Sequence, residues 1–186
     1  YSWAFDIGED DFSEDVFDIH FDSQNNIYLV PSIEHPTDID PAAGTQILHF
    51  SGTEYEPNFI LVKYTATGQL LWGNIISCAY VSGEANDFDN ESFKIITDEN
   101  SNVYVVGNYR GTIDFDPSSE QFLLDNPTDY YRFFIAKYDA TGSFVDAKTV
   151  DGSALLEIYY QTLSIGIKNN GNLIISGSFK DSIIFD

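Results

Sequence analysis

The stretch FILVKYTATG at residues 59–68 returns as FFIAKYDATG at residues 133–142. Six of the ten positions are identical, and Gly68 and Gly142 stand 74 residues apart. A second stretch occurs three times, as DSQNNIYLV from Asp22, DENSNVYVVG from Asp98 and KNNGNLIISG from Lys168, at spacings of 76 and 70 residues. A third follows each copy: Asp38, Ile39, Asp40 and Pro41 match Asp114, Phe115, Asp116 and Pro117, and the chain ends on Ile184, Phe185 and Asp186 in the same register. Trp3 and Trp72 hold equivalent places, which Asp146 takes in the next copy. Repetition at a long, nearly fixed period marks an array of like units. The chain reads as the tail of one unit (1–14), two units (15–77 and 91–150) and the first half of another (161–186).

Each unit reads as β structure. Runs such as Val103 to Val106 and Phe133 to Ala136 are short, β-branched and aromatic, which suits buried strands. Asn- and Gly-rich pieces, Asp98 to Asn102 and Asp139 to Gly142, separate them and suit hairpin turns, because Asn and Gly accept the left-handed backbone at small cost. The second unit predicts four main strands, around Phe93–Thr97, Asn102–Asn108, Arg132–Tyr138 and Ser143–Thr149. An insertion from Gly111 to Thr128 predicts an extra hairpin, Ile113–Phe115 with Gln121–Leu124. No amphipathic helix stands out. The expected fold class is all-β, with four-stranded antiparallel repeats in series as β-propeller blades. The 70 to 76 residue period exceeds that of common blades, and the insertion accounts for the excess. Propellers have about four to eight blades, so these repeats predict part of a ring.

The chain has 186 residues, with 8 Lys and Arg against 30 Asp and Glu, a formal net charge of −22. So few cations cannot build the basic face that a nucleic-acid duplex requires, nor a polybasic patch for anionic lipid. With 43% hydrophobic and 16% aromatic residues, the composition supports a packed core. No apolar run approaches the roughly 20 residues of a membrane helix, so membrane insertion is not expected. The single cysteine, Cys78, allows neither an internal disulfide nor a cysteine zinc site, and it reads as a buried strand thiol. Methionine is absent even at position 1, which reads as an excerpt or a processed product.

Taken together, Trp72, the segment from Asp98 to Gly107, the segment from Gly111 to Pro117, and the segment from Phe134 to Gly142 resemble the SBBP family, the bacterial beta-propeller repeat proteins. The resemblance covers nearly the whole chain. Departures include Ser101 where the family has Gly, Pro31 where the other copies have Gly, Lys168 for Asp, Asp146 for Trp, and a degenerate first insertion from Glu34 to Pro57. The resemblance implies a propeller scaffold in a secreted or bacterial cell-surface protein.

Two motifs are candidate calcium ligands. Asp98, Asn100 and Asn102 alternate as in the opening of a calcium loop, where oxygens converge on a hard cation. The rest of that loop is missing: its sixth position is Val103 and its twelfth is Tyr109, and the third copy opens with Lys168. An Asx-stabilised hairpin turn is the competing reading. Asp114 and Asp116, like Asp38 and Asp40, share one face of a strand and could bridge a cation or form a glycosidase pair. The third copy has Ile184 where the first Asp stands, and a motif that recurs in several copies reads as structural, with the second Asp ending a strand into a Pro turn. No cofactor is required by these patterns, and calcium is the one candidate ion. Acidic runs near Glu9 to Asp15 and Glu84 to Glu91 read as solvated connections that divalent ions would calm.

His20, His35 and His49 lack counterparts in the other copies and lack metal spacing. No nucleophile elbow, Walker loop or dinucleotide fingerprint occurs. Adjacent rings at Tyr130 and Tyr131, and at Tyr159 and Tyr160, must turn one ring outward in a strand and could stack on a sugar or partner. The function expected is a non-catalytic scaffold or adhesion module, with a protein or glycan ligand and further blades or domains of its own polypeptide as partners. The alternatives are a carbohydrate-active hydrolase or lyase using unique, non-repeated acids in one cleft, and a passenger of a bacterial secretion apparatus.

Overall fold

The computed structural model describes residues 4, 7, 15–33, 35–42, 44–49, 58–79, 93–127, 131–155, 164–168, 170–176 and 183–184. These residues form antiparallel strands without a helix. The first unit runs through β1 (Val16–Phe21), β2 (Ile27–Ile33), the short insertion pair β3 (Thr37–Asp38) and β4 (Ile47–Leu48), then β5 (Asn58–Tyr64) and β6 (Leu70–Ala79). The second repeats that order as β7 (Lys94–Thr97), β8 (Val103–Tyr109), β9 (Gly111–Asp114), β10 (Leu123–Asn126), β11 (Tyr131–Tyr138) and β12 (Phe144–Leu155). The third copy contributes β13 (Ser164–Ile167), β14 (Leu173–Ser176) and β15 (Ile183–Ile184).

The turns between the first two strands of each copy share one geometry. Asn25 and Ser101 have φ of 61° and 60°, and Gly171 at the matching place has 83°. The backbone N–H groups of Asp22, Asp98 and Lys168 each donate to a carbonyl four residues on. The repeat is therefore a repeat of backbone geometry, held even where Lys168 replaces Asp.

Three of the four main strands of the second unit lie within a residue of their predicted places, and the fourth, expected to end at Thr149, runs on to Leu155. The insertion does something that its sequence did not announce. Its hairpin, β9 with β10, leaves its own unit and adds to the first unit's sheet, giving the order β1-β2-β5-β6-β9-β10. The cause is the length of β6. Its pairing with β5 ends at Ile76, and Ser77, Cys78 and Ala79 run past that edge to pair with Asp114, Ile113 and Thr112. Backbone groups left over on one unit thus find partners on the next. The same handshake recurs one copy later, where Asp151 and Gly152 of β12 pair with Ile184 and Ile183 of β15.

The core sits between sheets. Tyr28, Val30, Phe59, Leu61 and Ile76 of the first unit pack on Val103, Tyr109, Phe115, Phe134, Ala136 and Tyr138 of the second. Aromatic rings join the two layers, with Phe59 and Phe93 at 4.7 Å between centroids and Phe59 and Phe134 at 6.1 Å. The matching positions on the opposite face of the first unit, Ile27, Ile33, Ile39, Ile60, Val62 and Tyr64, form a second buried cluster that takes in Ile7. The first unit therefore has an incoming and an outgoing apolar face, and burial of one large side chain between such faces is worth about 1.5–3 kcal/mol.

Candidate functional site

In the Asp98 turn, Oδ1 accepts the backbone N–H groups of Asn100 and Asn102, both at 2.9 Å. Oδ2 accepts Nδ2 of Asn102 at 2.8 Å and the hydroxyl of Tyr104 at 3.3 Å. Asp22 repeats the set with Gln24, Asn26 and Tyr28. Burial raises the carboxyl pKa of both, but these donors outweigh it and hold both below the usual carboxylate range. This is the hydrogen bonding of an Asx-stabilised turn, in which Asn100 gives a backbone N–H and Asn102 gives its amide.

The second motif has the same character. Asp114 Oδ1 accepts the N–H groups of Asp116 at 3.2 Å and Phe122 at 3.0 Å, and Asp116 Oδ1 accepts that of Ser118 at 2.9 Å. Asp38 and Asp40 do likewise for Asp40, Gln46 and Ala42. The tyrosine of the first motif locks onto this loop: Tyr138 donates its hydroxyl to the carbonyl of Phe115 at 2.9 Å, and Tyr64 donates to that of Ile39 at 2.8 Å. Burial first, then the nearby charges of Asp116 and Asp114, push the Tyr138 phenol well above its usual pKa. Among the described residues, no three His, Cys, Asp or Glu side chains gather as a metal-binding group.

The three histidines go to separate places. His20 Nε2 lies 3.0 Å from Thr97 Oγ1 on the next unit, and burial pulls its pKa down against the pull of Asp18 and Asp22. The carbonyl of His35 accepts the Thr37 hydroxyl at 2.8 Å. His49 lines a groove of about 500 Å³ beside Asn74, Asp116 and Glu120. Of the tyrosine pairs, Tyr131 lies under the Arg110 guanidinium, 5.8 Å from its ring centroid. Tyr130, Tyr159, Tyr160, Trp3, the acidic runs from Glu9 to Glu14 and from Glu84 to Glu91, and the side chain of Cys78 lie outside the described residues.

Polar contacts between units single out Trp72. Its indole N–H donates to the carbonyl of Ala140 at 3.2 Å, and Asn74 Nδ2 donates to that of Gly142. Lys63 Nζ reaches the Ala140 carbonyl at 3.4 Å and sits 5.0 Å above the Tyr28 ring. The turn at 139–142 is thus gripped by the preceding unit. A Cβ on Gly142 would come within 2.8 Å of Asn74 and 2.9 Å of Trp72. Near the first strands, Asp18 Oδ2 accepts the N–H of Ile95 at 3.0 Å.

Where the ends of β1, β7 and β13 converge, they enclose a cleft of about 630 Å³. Its walls include His20, Phe21, Thr97, Glu99, Asn100 and Lys168. Phe21 is 55% exposed there. The repeated motifs do not mark this cleft, because Phe21 lies outside them and Glu99 is a variable position within one. The signal was present in the repeat alignment as departure: Phe21 stands where the other copies have Thr97 and Ile167, and His20 where they have Ile96 and Gly166.

No family model and no solved structure matches the chain. The chain is similar to "Uncharacterized WD repeat-containing protein L264" of Acanthamoeba polyphaga mimivirus, 30% identical over 111 residues. That match covers 51% of this chain and 8% of the viral protein, so the chain spans under a tenth of the curated relative it matches.

Proposed function

We propose that these repeats are blades of a β-propeller that acts as a non-catalytic binding scaffold, secreted or held at a cell surface. The observation that carries this reading is the destination of the repeated polar residues. Asp22, Asp98, Asp38, Asp114, Tyr64 and Tyr138 all direct their side chains to backbone groups or to other side chains of their own unit. They hold turns and loops in fixed shapes, which is the work of a frame that presents other residues. Head-to-tail stacking of antiparallel units and similarity to a WD repeat protein support the propeller. The SBBP-like motifs support an extracellular setting.

The test is capture without turnover. The chain is immobilised and exposed to glycan and protein arrays, and the bound material is then eluted and weighed by mass spectrometry. The expected result is specific retention of a ligand that returns chemically unchanged. Release of a cleaved or modified ligand would overturn the non-catalytic reading, and retention of nothing would overturn the binding reading.

A further inference from the structure

We infer that the chain joins a second copy of itself head to tail, with β1 of one chain seated on β13 and β14 of the other. The inference goes beyond the scaffold reading and does not depend on it. The joint between the first and second units shows what such a meeting requires. There Ile95 of β7 is 3% exposed, and Asp18 Oδ2 accepts its backbone N–H at 3.0 Å. His20 Nε2 lies 3.0 Å from Thr97 Oγ1 across the same joint. The matching positions on β1 are open. Ile19 takes the place of Ile95 and is 52% exposed, and the exposed Phe21 takes the place of Thr97. The third repeat is open on its opposite face, where Ile174 is 48% exposed in the place of the fully buried Tyr28. Apolar rows left bare on strands are surfaces that a further layer covers.

The two open faces match in shape. At the first joint the meeting pair is His20 with Thr97, one polar group against another. One repeat on, the same two positions hold Ile96 and Ile167, both branched and apolar. Carried to the open faces, the pair becomes Gly166 of β13 and Phe21 of β1. The bulkiest residue at the incoming position thus falls to the smallest at the outgoing one. A Cβ on Gly166 would meet no atom within 4 Å, so the space above it is clear. Its cross-strand partner is Ile174, which lines that space with an apolar side chain for the Phe21 ring. Ser164, exposed, stands in the place of Asp18, and its hydroxyl can accept an N–H as the carboxylate does. A foreign partner would have to supply both a knob for Gly166 and a cover for Ile19 and Phe21. This chain already carries both, in the register of a joint it already makes.

The test is sedimentation of the chain over a rising concentration series. The expected result is association in whole multiples of the chain mass, as closed rings or open rows, because the two faces differ. Each chain carries a net charge of −22, so salt that screens this repulsion should tighten the association. Phe21→Ala removes the knob, and Gly166→Phe fills the space meant for it. Each alone should weaken association by about tenfold or more, the equivalent of about 1.4 kcal/mol. The two together in one chain should restore it, since the ring then stands on the other side. Mixed in equal amounts, the two single variants should pair and stop at two, because each keeps only one working face. Phe21 is exposed and Gly166 lies outside the left-handed region, so both variants should keep the circular dichroism of the parent. A chain that stays single at every concentration overturns the inference. So does association that ignores both substitutions, or that salt weakens. All three leave the scaffold reading standing.

Discussion

The outgoing face of the first unit and the same face of the second are built from matching positions, yet their surroundings differ. On the first, Lys63 is 7% exposed and Tyr28 is fully buried, because the turn at 139–142 and the incoming face of the second unit lie over them. On the second, Lys137 and Tyr104 keep the same cation-over-ring pairing, at 5.2 Å, but both are only half-buried. Asp146, in the place of Trp72, is exposed. Lys148, in the place of Asn74, is exposed as well. A repeat position therefore has no burial of its own. The neighbour decides it, and the energetic weight of one motif changes from copy to copy.

The largest break in that comparison comes from Trp72→Ala. It removes an indole that packs against the core and bonds the turn of the next unit, so about 3 kcal/mol of stability should be lost. Asp146→Ala should stay within about 0.5 kcal/mol. Urea titration of both variants measures the pair. Glycines sharpen the contrast, since Gly142 and Gly171 have φ of 85° and 83° but only the first is pressed against a neighbour. Gly171→Ala should cost about 1–2 kcal/mol for the left-handed backbone alone. Gly142→Ala should cost clearly more in the same titration, because its Cβ meets Trp72 and Asn74.

The lysines come next. Lys63→Ala removes a cation held over Tyr28 and covered by the next unit, for about 1–2 kcal/mol, while Lys137→Ala should cost about 0.5–1 kcal/mol. The smallest effect separates Asp22 from Asp98. Both carboxylates are held below their usual range, so the unfolded chain takes up protons first as pH falls. The stability they lend is complete above about pH 4 and is lost as pH drops through the folded pKa. Asp22→Asn and Asp98→Asn should each flatten the acid limb of stability against pH. The Asp22 variant should flatten it more, since the tyrosine hydroxyl bond to Asp22 is shorter, 3.0 Å from Tyr28 against 3.3 Å from Tyr104 to Asp98. Acid titrations followed by circular dichroism test both.

Strand positions were legible because Val, Ile, Phe and Tyr runs alternate with Asn- and Gly-rich turns, and a repeat checks each reading against its copy. The hairpin of the insertion was expected at Ile113–Phe115 with Gln121–Leu124. It forms at 111–114 with 123–126, because Asp114 draws the N–H groups of Asp116 and Phe122 into the loop. Which sheet the hairpin joins was not legible. That depends on β6 outrunning β5, a three-dimensional excess that no local pattern reports. The cleft was hidden for a different reason. Self-alignment draws attention to what recurs, and Phe21 and Glu99 are what does not, while Lys168 shows only as a lost Asp.

The crossing of β9 and β10 into the preceding sheet puts the unit of duplication out of phase with the unit of structure. The second copy carries both a donated hairpin and an overhanging strand that receives the next. A gene that gains or loses one whole repeat keeps every donor matched to an acceptor, so the array can change its copy number without inventing an interface. The polarity of that coupling, tail into head, also gives the array a direction, and two chains cannot pair through it by two-fold symmetry.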